Sequence, residues 1–174
     1  MIPYTAADLA ASFRTVRGNT VRAAEDIPEE HYDFRPAPDT WSVAELLAHI
    51  AISPRLRVAM LGPDRDTLVG FDFFGTLSGL RAEQAQPRTK AELVDLLKTE
   101  GERTAEWLAA FDDAALAERI TQPDGKSTKT RLEMLMATKE HEMHHRGQLM
   151  LIQRMLGIVP HGTRAMQQRA AARA

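Results

Sequence analysis

With 174 residues and 44% hydrophobic content the chain has the material for one sizeable core, and it reads as a single domain. Its 22 Lys and Arg against 24 Asp and Glu leave a net charge of -2, which gives no basic field for phosphate backbones or anionic lipid, so neither nucleic acid nor a membrane surface is expected as a partner. The absence of cysteine excludes disulfides, iron–sulfur clusters, thiolate zinc sites and a cysteine nucleophile, so any metal must be held by His, Asp or Glu.

Only 6% of residues are aromatic, while Ala, Leu, Glu, Arg and Met are plentiful, a composition that predicts an all-α class. The opening MIPYTAADLA lacks the charged segment and apolar run of a secretory signal, and no apolar stretch reaches the length of a membrane span. A cytoplasmic protein is the expectation.

Four segments open with a hydroxyl residue followed three positions later by a carboxylate: Thr5 with Asp8, Ser42 with Glu45, Thr89 with Glu92 and Thr130 with Glu133. Each has the form of a capping box, in which the hydroxyl accepts from a free first-turn N–H and the carboxylate reaches back to the cap. The first helix is expected from Ala6 to about Glu25, with Leu9, Phe13 and Val16 inward. The second runs from Val43 to about Leu61, with Leu46, Leu47 and Ile50 inward, a kink at Pro54 and a stop at Gly62-Pro63.

Residues 62–88 give no clear element; Phe71, Phe73, Phe74, Leu77 and Leu80 fit a loop with a short helix over one end. The third helix is placed at Lys90 to Phe111. After the polar turn QPDGKST the fourth runs from Arg131 to Leu156, with Gly157 as its stop. Together these make a four-helix bundle with at least one long crossover connection, spanning residues 1–160, followed by a partly frayed tail over 161–174.

His141 and His145 lie four apart in the fourth helix, about 40° apart around its axis, on a face shared with Met134, Thr138, Gln148 and Ile152. That spacing lets two imidazoles converge on one ion, and burying both is costly unless something satisfies their ring nitrogens. His49, on the edge of the inward stripe of the second helix, is the expected third ligand; His144 is an alternative second ligand or a neighbour of the site. His31 and His161 fall in loops and are expected at the surface. HEMHH at 141–145 fits the zinc-protease pattern with Glu142 as base, but the further ligands of such proteases are missing: positions 148 and 151 are Gln148 and Leu151, and no carboxylate residue follows Glu142. On the other side of this helix Met136, Met143 and Met150 repeat every seven residues with Leu132, a stripe that suits either an internal helix contact or a two-fold dimer.

TWSVAELLAHI at 40–50 and HEMHHRGQLMLIQRMLGIVP at 141–160 resemble the DinB-type metal-binding helical bundles, whose pattern is a Trp-Ser helix opening, a His about eight residues on, and H-x-x-x-H-R-G-Q in the last helix. The resemblance implies metal ligands at His49, His141 and His145, with Arg146, Gly147 and Gln148 continuing the signature. It also implies a bundle that is often a homodimer, and members that act as thiol S-transferases or as a thiol-dependent isomerase. Trp41 and Glu45 match the pattern, and helix-start packing and capping account for both.

Three neutral imidazoles would leave a divalent ion with open positions, the arrangement of a catalytic site. Zinc is the first choice, with nickel or iron also suited to imidazole. The expected function is a metal-dependent transferase that activates a low-molecular-weight thiol toward an electrophile. The alternatives are a non-catalytic, stress-related metal- or partner-binding bundle and a metal-dependent hydrolase. No catalytic residue beyond the ligands is assigned.

Overall fold

The computed structural model describes residues 4–62 and 64–173. The chain builds a four-helix bundle from α1 (Ala6–Asp26), a kinked arm of α2 (Val43–Ile52) and α3 (Pro54–Met60), α5 (Lys90–Ala109) and α7 (Arg131–Met155). Between them lie α4 (Phe73–Gln84), the short α6 (Asp113–Ala117) and an antiparallel hairpin of β1 (Arg119–Thr121) and β2 (Thr128–Thr130); α8 (His161–Ala171) ends the chain. Contacts run from α1 to α5, from α5 to α2, from α2 to α7 and from α7 back to α1. The first two bundle helices in sequence therefore sit across a diagonal, and the connection 27–42 crosses one end. No described helix is long and apolar enough to cross a membrane.

Local chemistry sets the helix starts. Thr5, Ser42 and Thr89 form complete capping boxes with Asp8, Glu45 and Glu92. Thr130 accepts from the N–H of Glu133, but the Glu133 carboxylate pairs with Lys129 at 3.0 Å, so the fourth expected box is only half made. Pro54 has no N–H for the Ile50 carbonyl, and the helix breaks at Ser53 before resuming as α3, the kink expected at this proline. Gly157, at φ +75°, ends α7 in a Schellman motif, with Ile158 N–H donating to the Gln153 carbonyl and Gly157 N–H to that of Arg154. The stop expected at Gly62-Pro63 falls partly on Pro63, outside the described residues.

Two features differ from the sequence-based reading. The polar turn expected at 122–128 is closed by strands of three residues, Thr128 itself opening β2, with Asp124 accepting from the N–H groups of Lys126 and Ser127 and Gly125 at φ +68°. The segment expected as a partly frayed tail is helical over His161–Ala171, anchored by Arg164 to Asp26 at 2.7 Å.

The interior has two apolar clusters with a polar layer between them. One gathers Val21, Ala24, Leu46, Leu47, Ile50, Leu97, Leu149 and Ile152; the other gathers Leu9, Phe13, Leu61, Leu108, Leu116, Ile120 and Leu135. At the level between them, Arg17 of α1 pairs with Glu142 of α7 at 2.9 Å, and Thr20 donates to the same carboxylate at 2.7 Å. Arg17 also donates to the Leu97 carbonyl of α5 and, at 3.1 Å, to the Ile50 carbonyl that Pro54 leaves free. One guanidinium thus ties four bundle helices together. Fully buried Arg131 acts similarly at the other end, donating to the carbonyls of Leu61, Gly62, Arg65 and Ala115 and to the Glu118 carboxylate.

Candidate metal centre

His49, His141 and His145 converge where α2 faces α7, at the level of the polar layer. One ligand-capable nitrogen from each lies within 4.8 Å of the other two. His49 Nε2 and His141 Nε2 are 2.9 Å apart, close to the ~3.3 Å between two nitrogens held tetrahedrally at about 2.0–2.1 Å from a zinc ion. All three donors are imidazoles and no carboxylate belongs to the group, so the residues present fit a divalent ion of the zinc, nickel or iron type.

The outer nitrogens of two rings are engaged. His145 Nδ1 lies 2.8 Å from Gln148 Oε1 and His49 Nδ1 lies 3.3 Å from Gln84 Oε1. With the proton on Nδ1 donated to each amide oxygen, the Nε2 lone pair is left facing the shared space. Burial first, then the neighbouring His145 imidazole and the Arg81 guanidinium, pushes the His49 imidazole down to about 4. His141 is exposed as a residue, yet burial first, then the neighbouring imidazoles and Arg57, pushes its imidazole down to about 4 as well. His145 is also lowered, chiefly by burial. The rings are therefore neutral and able to ligate at pH 7.

Trp41 stacks on this centre, its ring 4.4 Å from His49 and 5.7 Å from His145 between centroids, and stays 46% exposed. That is more than the helix-start packing expected of it. Glu45 keeps the role foreseen, capping α2 while pairing with Arg35. Gln84 was not foreseen: α4 buries none of its residues, so no apolar stripe marks it in the sequence. It is tethered by Glu83 to Arg55 at 2.7 Å, and Arg55 in turn holds buried Glu100.

His31 and His161 stand apart from the group, whereas His144 borders it, its ring 4.9 Å from that of His145 between centroids. His144 is exposed, its Nε2 3.4 Å from Gln148 Nε2. His31 ends a short 3₁₀ turn. His161, expected in a surface loop, is the first residue of α8 and is half-buried, its Nε2 3.2 Å from Asn19 Oδ1. Glu142 points away from the triad into the Arg17 and Thr20 contacts, with a side chain only 2% exposed, which removes the protease-like base suggested by HEMHH.

Different members of the triad line different cavities. His49 and His141 border one of about 280 Å³ with Leu56, Arg57, Phe73, Leu77 and Leu80; His145 borders a second of about 460 Å³ with Trp41, Leu46, Leu151 and Ile152.

Fold and triad together define a helical bundle with a three-histidine candidate metal centre. The chain belongs to the DinB superfamily, whose profile matches residues 12–149. The Bacillus subtilis protein YjoA is 28% identical over 151 residues, covering 86% of this chain and 89% of YjoA. The crystal structure of YjoA, a DinB-like protein, superposes with a TM-score of 0.62 at 26% identity over 86% of this chain and 92% of that one. YfiT from Bacillus subtilis, described as a probable metal-dependent hydrolase with an unusual four-helix bundle topology, matches with a TM-score of 0.62 at 18% identity, covering 86% of each chain. The colibactin self-resistance protein ClbS, solved in complex with a dsDNA, matches with a TM-score of 0.64 at 14% identity over 88% of this chain and 98% of that one. The likeness to YfiT and ClbS shows the fold alone.

Proposed function

We propose that this protein is a cytoplasmic metal-dependent transferase in which His49, His141 and His145 hold one divalent ion, zinc foremost, and that it joins a low-molecular-weight thiol to an electrophile. The observation that carries the reading is the placement of the triad between two cavities, one bordered by His49 and His141 and the other by His145, so that two small molecules can approach one centre. When bound, a divalent ion on three neutral imidazoles supplies Lewis acidity, lowering the pKa of a thiol or of water.

The chain's own residues do the rest. Gln84 and Gln148 hold the ring orientations of His49 and His145, and Trp41 covers one side of the centre. Apolar side chains, Leu56, Leu77 and Leu80 on one cavity and Leu46 and Ile152 on the other, line the approach to the centre. In the transfer, a carbon–sulfur bond forms as the bond to the electrophile's leaving group breaks; the thiol proton passes to solvent.

A hydrolase is the second reading, favoured by the likeness to YfiT, with water in place of the thiol. A second cavity has no role in that reaction. Nucleic acid stays outside the proposal despite the dsDNA held by ClbS, because a net charge of -2 supplies no basic field for a phosphate backbone. The test is native mass spectrometry of protein prepared without chelators, then a thiol-transfer assay with an aryl chloride. One ion per chain, lost in His49→Ala, His141→Ala and His145→Ala but kept in His31→Ala and His144→Ala, together with an aryl thioether product, supports the proposal. Absence of stoichiometric metal after zinc or nickel loading overturns it, and hydrolysis without thioether formation replaces it with the second reading.

A further inference from the structure

Arg17, Arg55 and Arg131 of the interior are each paired with a carboxylate: Arg17 meets Glu142, Arg55 meets Glu83 and Glu100, and Arg131 meets Glu118. Arg57, on α3, forms no ion pair among the described residues; its one polar contact is Nη1 to the Met60 sulfur at 3.9 Å. It is nonetheless partly buried, enough for the loss of water to lower its pKa from the usual value. A guanidinium withdrawn from water without an anion is costly to keep there, and its fork of donors matches a carboxylate.

Its position says what would complete it. Arg57 lines the cavity of about 280 Å³ that His49 and His141 border, and its charge is felt at the His141 ring. Thr138, one helical turn before His141, lines the same cavity, and its Oγ1 is buried with no hydrogen-bond partner in a residue only 4% exposed. A helical threonine ordinarily returns its hydroxyl to a carbonyl of the preceding turn, so a free buried one is an unanswered polar group. Ser53 and Gln84 also reach the cavity, and the rest of its wall, Pro54, Leu56, Phe73, Leu77 and Leu80, is apolar.

We propose that this cavity is the subsite for a small monocarboxylic acid with an apolar body, its carboxylate held by Arg57, a further polar atom met by the Thr138 hydroxyl, and its body lying against Leu56, Phe73, Leu77 and Leu80. A single guanidinium suits one negative charge better than a phosphate dianion. The assignment rests on the triad as the reacting centre, since it places the acid beside His141 as one of the two molecules brought together there.

Calorimetric titration of 2-hydroxy-4-phenylbutyrate and its neutral amide into zinc-loaded and zinc-free protein tests the subsite. The acid is expected to bind at least about ten-fold more tightly than the amide in both forms. Arg57→Met removes most of that preference, Arg57→Lys retains part of it, and Thr138→Val weakens both probes without lowering the melting temperature. A preference that survives Arg57→Met, or the absence of binding by either probe, overturns the subsite. A preference confined to zinc-loaded protein and indifferent to Arg57 also overturns it, placing the carboxylate on the metal and leaving the transferase reading intact. An Arg57-dependent preference in protein that takes up no zinc supports the subsite while removing the metal centre.

Discussion

Arg17 and Glu142 meet at 2.9 Å with side chains only 5% and 2% exposed, and through this pair α1 grips α7 one residue from His141. The same guanidinium holds the Ile50 carbonyl, one residue from His49. The pair therefore fixes two of the three histidine-bearing turns relative to each other. Removing one partner leaves a buried charge uncompensated, which costs about 3–5 kcal/mol. Glu142→Gln is expected to lose stability on that scale in urea unfolding, and Arg17→Met combined with Glu142→Met to recover at least half of it. Glu142→Gln at full stability with lost activity would instead restore Glu142 as a catalytic base.

Gly101 on α5 makes room for this pair. A Cβ there would lie 2.6 Å from Arg17 Cγ, and the arginine is held at its far end by three groups, the Glu142 carboxylate and the Leu97 and Ile50 carbonyls, so it cannot swing aside. Gly101→Ala should destabilise by about 1–3 kcal/mol, although alanine in a helix is ordinarily better than glycine by about 1 kcal/mol. Gly18→Ala on α1, where a Cβ would meet nothing within 4 Å, should show the opposite sign. Urea midpoints of the two variants decide it, and equal shifts would mean that α5 yields.

The parts of the molecule that were legible are those written in local grammar. Ser42 with Glu45 and Thr89 with Glu92 announce their helices because cap and carboxylate act within one turn. His141 and His145 announce a shared site because four residues is nearly one turn. Gln148 lies three residues from His145 on the same face, within the reach of one turn, whereas Gln84 reaches His49 from a helix with no buried residue to betray it. Helix α8 is likewise silent in hydrophobic pattern, although its Ala, Arg and Gln residues favour helix. The strands β1 and β2 are three residues each, too short for an alternating pattern to register.

Acid should loosen the metal-free protein in a defined window. His49 and His141 are held down to about 4 in the fold, whereas an unfolded histidine takes its proton near 6.5. Between these values the unfolded chain binds more protons than the native one, so stability rises with pH across the window and falls as pH drops from about 6.5 to about 4. Chelator-treated protein should show a falling urea midpoint over that range, and the His49→Gln/His141→Gln double variant a shallower fall. Equal slopes would show that other groups carry the dependence.

The methionine stripe of α7 splits in the fold. Leu132 and Met136 pack against the apolar cluster at the hairpin end, so that part of the stripe serves an internal contact. Met143 is 45% exposed, Leu151 is 62% and Met155 is 53%, so the same helix still offers apolar surface in its second half. An isologous dimer would lay Met143 near its symmetry mate and needs about 1,200 Å² or more of total buried area to persist. Because Met143 is already in contact with water, Met143→Glu should leave the melting temperature and the metal content unchanged, while the paired charges push such a dimer apart. Sedimentation velocity at micromolar concentration is expected to show a dimer for the unaltered chain and a monomer for Met143→Glu. A monomer in both would confine the stripe to its internal role, and a Met143→Glu chain that unfolds would mean that this residue is packed more tightly than its exposure indicates.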